Sequence, residues 1–169
     1  MPMVKLWFAK THPDGIIPSK RREDAGYDVY VRIDEDYVCL APHETRIMST
    51  GIASACEAGY YFQIQERGST GTKGIAKRCG VIDSGYRGEW LLSMTNLNTY
   101  PLYFAKPHMK EYFDDLAKRE RFIVHYINKA AAQAVVLPVP DTFIEELPYE
   151  ELLKMESKRG TGKLGSSEK

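Results

Sequence analysis

The chain has 169 residues, with 23 Lys and Arg against 23 Asp and Glu and a formal net charge of zero. That length predicts one domain with a sizeable core, and the balanced charge argues against direct nucleic-acid binding, which is driven by excess Lys and Arg. Cys39, Cys56 and Cys79 are odd in number and lack C-x-x-C spacing, so they read as neither a zinc site nor a disulfide frame, and a reducing cytoplasm fits.

The opening "MPMVKLWFAK" has no apolar stretch long enough for a signal peptide, and no run in the chain approaches a membrane span, so no membrane partner is expected. Short runs rich in β-branched and aromatic residues then recur between turn signals. In chain order they are "VKLWFAK" (4–10), "YDVYVRI" (27–33), "YVCL" (37–40), "TRIMSTGIAS" (45–54) and "YYFQIQ" (60–65). After these come "EWLLSMTNLN" (89–98), "LYFAK" (102–106), "RFIVHYI" (121–127) and "AVVLPV" (134–139). Many short strands at this spacing predict an all-β sandwich or barrel. Two stretches read as helix. "HMKEYFDDLAKRER" (108–121) spaces Met109, Phe113 and Leu116 at helical intervals, and "PYEELLKMES" (148–157) opens with a helix-starting Pro. The last dozen residues turn to Gly, Ser and Lys, the composition of a mobile tail.

Five segments stand out from a plain barrel. "DAGYDVY" places Asp28 at a strand start, where a turn carboxylate is the ordinary reading. "ERGSTGTKGI" packs Gly68, Ser69 and Thr70 between Arg67 and Lys73; its N–H groups and hydroxyls suit either a phosphate or a polar turn. "GVIDSGYRGEW" reads as a hairpin with Asp83 and Tyr86 at its rim, able to position a water and a sugar, or simply a charged tip. "AAAQAVVLPV" buries the Gln133 amide, which must find partners whether or not it serves a site. Finally "RGTGKLGSS" (159–167) spells G-x-G-x-x-G through Gly160, Gly162 and Gly165, yet without the strand before and helix after that a dinucleotide fingerprint needs.

Together and in this order, "AGYDV", "RGSTGTKG", "GVIDSGYRGE", "AAAQAVVLPV" and "RGTGKLGSS" resemble the five motifs of the trimeric dUTP pyrophosphatase (dUTPase) family. The resemblance implies a jelly-roll-like distorted β-barrel over residues 1–157, with a helical insertion near 108–121 and a flexible C-terminal arm over 158–169. It implies a homotrimer whose active sites are shared between chains, acting on dUTP to give dUMP and pyrophosphate. Under it, Asp83 is the base for the attacking water and Gln133 bonds near that water. Asp28 holds Mg²⁺ through water. Arg67, Gly68 and Ser69 meet phosphates, Ile82 lies where the hairpin backbone reads uracil, and Tyr86 packs under the deoxyribose. Arg159, Leu164, Gly165, Ser166 and Ser167 belong to an arm that closes over the nucleotide. The chain departs from the usual pattern in having Arg67-Gly68-Ser69 for Arg-Ser-Gly, Ala76-Lys77-Arg78 where many members carry a uracil-binding Asn, and Leu164 for a stacking Phe. The rival readings are a dCTP deaminase of the same fold, and a non-catalytic member that works through a regulatory protein partner.

Overall fold

The computed structural model describes residues 3–78 and 80–162. It divides the chain into two compact units, Met1–Val139 and Pro140–Lys169; the expected boundary at 157/158 falls inside the second.

The first unit is built from strands: β1 (Leu6–Lys10), β2 (Tyr27–Val29), β3 (Tyr37–Leu40), β4 (Thr45–Ser49), β5 (Ile52–Cys56), β6 (Tyr60–Glu66), β7 (Ile75–Arg78), β8 (Val81–Asp83), β9 (Leu91–Asn96), β10 (Leu102–Ala105), β11 (Ile123–Tyr126) and β12 (Ala132–Pro138). They form four small sheets, in the orders β1-β5, β11-β10-β3, β2-β12-β6-β8 and β4-β9-β7. Alternation explains the placement. Along β6, Phe62 and Ile64 point inward while Gln63 and Gln65 point away, the period of two that a half-buried strand requires. On β12, Ala134 lies fully buried opposite Ile64, and Val136 lies opposite Phe62. The core centres on Trp90, whose ring meets Phe8 and Phe62 edge-on at 5.6 and 5.0 Å. Its indole N–H donates to Ser54 Oγ at 2.9 Å, so the one polar atom of the largest buried side chain is satisfied.

Three expectations change. The run 45–54 is two strands, not one: Gly51 takes φ +70°, a left-handed turn that suits glycine, and separates β4 from β5. The segment 80–90 is not a hairpin. Among the described residues β8 pairs only with β6, and the chain then crosses to β9, which lies between β4 and β7 in another sheet. The third change is in the helical insertion, expected over 108–121: it is a 3₁₀ turn over Pro107–Met109 followed by helix α2 over Lys110–Leu116, and a one-turn helix α1 over Gly68–Gly71 precedes it in the chain. The insertion bridges β10 and β11, which pair in parallel. Parallel neighbours need a crossover connection, and the helix supplies it. Phe113 is its buried anchor, packed on Tyr37, Tyr103 and Phe122. In the second unit, helix α3 spans Tyr149–Leu153.

Candidate active site

The four-stranded sheet gathers one group of residues. Pairing of β2 with β12 sets Asp28 opposite Gln133, and pairing of β12 with β6 sets Gln133 opposite Gln65, two residues before Arg67. Asp28, Arg67, Gly68, Ser69 and Gln133 thus line one open cleft of about 910 Å³. Within it, Asp28 Oδ1 and Arg67 Nε form an ion pair at 3.1 Å, both side chains about one-third exposed. Gln133 Nε2 donates to Glu66 O at 2.9 Å. Its amide lies against Gly26, where a Cβ would sit 2.4 Å from Gln133 Oε1, so that glycine is required by close approach. Ser69 is exposed on the cleft rim.

A second group lies elsewhere on the same chain. Ile82, Asp83, Tyr86 and Glu89 line a separate pocket of about 240 Å³, floored by Ile64 and Leu92. Asp83 ends β8 and is exposed, and the next residues turn so that Tyr86 N–H donates to Asp83 O at 3.1 Å. Arg87 ties the turn by donating to Ser84 O and Tyr86 O at 2.7 and 3.0 Å. Asp83 pairs with Tyr61 of β6, whereas Gln133 pairs with Gln65 on the strand's other edge. Four residues along β6 and two strand spacings across it put the two side-chain origins roughly 16 Å apart. One phosphate group cannot touch both.

Glu89 is the residue sequence reasoning missed. Burial favours its neutral form, but bonds from the Ser49 hydroxyl and the Gly51 and Thr50 N–H groups, with the charge of Arg32, outweigh it and hold the carboxyl below its usual range. Its partners lie about forty residues away, so no local pattern announced them. Ser19, Lys20, Arg21, Glu23, Asp24 and Ala25 also line the first cleft. The cation run Lys20-Arg21-Arg22, one residue before "DAGYDVY", was the signal for that segment.

In the second unit, Arg159 is exposed, with its N–H bonded to Ser157 Oγ at 3.2 Å and its Nε donating to Gly162 O at 3.4 Å. Leu164, Gly165, Ser166 and Ser167 lie outside the described residues. Among the described residues no group of three or more His, Cys, Asp or Glu side chains could hold a metal ion.

A family model described as dUTPase matches residues 13–106. A deoxyuridine 5'-triphosphate nucleotidohydrolase of Nautilia profundicola is 32% identical over 170 residues, spanning 98% of this chain and 100% of that one. Among solved structures, the Staphylococcus bacteriophage 80alpha dUTPase with dUPNHPP superposes with TM-score 0.73 at 20% identity, over 98% of this chain and 99% of that one. A mutant dUTPase from phage phi11 of S. aureus, described with a structural Mg(II) ion, superposes with TM-score 0.64 at 17% identity, over 85% of this chain and 96% of that one. The barrel and these matches define a nucleoside triphosphate hydrolase. The chain belongs to the dUTPase family.

Proposed function

We propose that the chain hydrolyses dUTP to dUMP and pyrophosphate in a homotrimer whose sites are each completed by a second copy. The observation that carries this reading is the separation of Asp83 from the Asp28, Arg67 and Gln133 cleft. A catalytic base must come within hydrogen-bond reach of the water it deprotonates. The two halves therefore act together only when the pocket of one copy faces the cleft of another.

In that arrangement Asp83 takes a proton from a water whose oxygen bonds to the α-phosphorus. The bond from the α-phosphorus to the bridging oxygen breaks, and pyrophosphate leaves. Arg67 and Ser69 hold phosphate oxygens with N–H and O–H donors, Gly68 lets the backbone approach, and the Gln133 amide orients the water. Ile82 and Tyr86 shape the nucleoside pocket, the ring lying under the deoxyribose where a 2′-hydroxyl would collide. Arg159, Leu164, Gly165, Ser166 and Ser167 close over the nucleotide. Asp28, paired with Arg67 in the cleft, would hold the waters of a Mg²⁺ carried on the triphosphate, and that ion would neutralise phosphate charge. The unpaired Cys39 and Cys56 fit the reducing cytoplasm in which dUTP is made. No helix among the described residues is long and apolar enough to cross a membrane.

Two measurements test the proposal. Pyrophosphate release should be specific to dUTP among the deoxynucleoside triphosphates. Co-expression of Asp83→Asn and Arg67→Gln chains, each inactive alone, should restore activity, because random mixing leaves about a quarter of shared sites with both residues intact. Absence of rescue in a mixed assembly would refute shared sites.

A further inference from the structure

Glu89 stands three residues beyond Tyr86 and touches it through the backbone: Tyr86 Oη donates to Glu89 O at 3.1 Å. The side chain of Glu89 runs the other way, into the turn between β4 and β5. There its Oε1 accepts from Ser49 Oγ and from Gly51 N, the latter at 2.7 Å. That turn is itself fixed. Gly51 O accepts from Thr11 N and His12 N at 2.8 and 3.3 Å. A Cβ on Gly15 would lie 2.1 Å from Gly51 O, so the turn is packed to backbone contact. The residue after Glu89 is held on both sides: Trp90 N–H donates to Ile52 O at 2.8 Å, and Thr50 Oγ1 donates to Trp90 O at 2.6 Å.

The consequence concerns an exposed ring. Tyr86 is 43% exposed, at the edge of the pocket floored by Ile64 and Leu92. Two contacts define its height: the hydroxyl bond to Glu89 O, and Gly88, where a Cβ would fall 2.3 Å from Tyr86 Oη. Both contacts are only as fixed as residues 88 and 89. The anchor for these residues is the carboxylate on Ser49 and Gly51. We propose that Glu89 is a positioning residue that fixes the Tyr86 ring through the β4–β5 turn and so sets selectivity for deoxyribose over ribose. This rests on the reading that Tyr86 packs under the sugar. The role assigned to Glu89 is positioning, since its Oε1 receives two protein donors from the turn.

The test compares kcat/KM for dUTP and UTP in five proteins, with melting temperature recorded for each. Glu89→Ala should lower the dUTP-to-UTP ratio by about tenfold or more, the scale on which a loosened steric pocket loses discrimination. Ser49→Ala, on another strand, should lower it by a smaller factor. Glu89→Gln should keep it, because the amide oxygen accepts the same two bonds. Tyr86→Ala separates the two readings. If Tyr86→Ala leaves the ratio unchanged, the sugar-packing reading fails and the inference falls with it. If Tyr86→Ala collapses the ratio while Glu89→Ala and Ser49→Ala only lower the melting temperature, the sugar reading stands and the positioning role is overturned. Should Glu89→Ala not fold, Ser49→Ala carries the test with 3-fluorotyrosine placed at position 86. A changed ¹⁹F resonance together with a lower ratio supports positioning; an unchanged resonance and ratio overturn it.

Discussion

Asp83 sits exposed at the end of a three-residue strand, and in the proposed shared site it would act on a water held by another copy. Asp83→Asn keeps the shape and removes the proton acceptor. Turnover of dUTP should fall by at least about a hundredfold, with nucleotide binding retained by calorimetry. His125 makes a prediction of a different kind. It is buried on β11, donating from Nε2 to Lys129 O at 3.0 Å. Burial lowers its pKa below the ordinary 6.5, more than the Lys129 bond raises it, and nearby cations lower it further. The unfolded chain therefore takes up a proton near pH 6.5 that the folded chain refuses. Stability is full above that pH and declines as pH falls through it, until the folded pKa is reached. Urea midpoints between pH 7.5 and 5.5 should show this slope, and His125→Gln should flatten it. At this scale Asp28, Arg67 and Asp83 could be singled out as candidates because each sits in a compact local motif. Glu89 was quoted within one such motif without a role, because what gives it one is contact with Ser49 and Gly51, which no short window contains.

Strands were legible where alternation was clean, as in β6 and β12. They were misjudged where a single turn residue mattered more than the run around it. Ile47 and Ile52 look continuous in sequence, but the left-handed Gly51 between them ends one strand and begins another. β7 was missed because "IAKR" has one inward residue, Ile75, and two cations. The return strand after Asp83 was assigned to the wrong partner, since turn spacing says that a chain reverses but not which sheet receives it. The insertion was recognised as helical from Phe113 and Leu116. Its task, spanning two parallel strands, was visible only once their pairing was known. Phe113→Ala should empty the space between α2 and the Tyr37, Tyr103 and Phe122 rings and lower stability by about 3–5 kcal/mol in urea denaturation. Activity per folded molecule should change little, because the helix lines neither cavity.

At the scale of the molecule, the motif order in the chain gave no hint that the third motif lies apart from the first, second and fourth. Distance across a sheet is set by pairing, which sequence order does not encode. The protein should run as a trimer by light scattering, and dilution until it dissociates should abolish turnover along with assembly. Truncation after Ser157 should leave the trimer intact and lower turnover strongly while weakening dUTP binding modestly; equal turnover in the truncated protein would remove any role for the arm.

The 16 Å between Asp83 and Gln133, taken roughly from strand spacing, also bears on inheritance. Where a site lies within one chain, two inactivating mutations behave differently in cis and in trans: placed on separate copies they leave no working site at all. Where it is assembled from two chains, a cell holding one normal gene and one carrying both Asp83→Asn and Arg67→Gln has the same fraction of working sites as a cell holding the two mutations on separate genes. A duplicated gene could then decay in complementary halves, each product useless alone, and selection would preserve the pair.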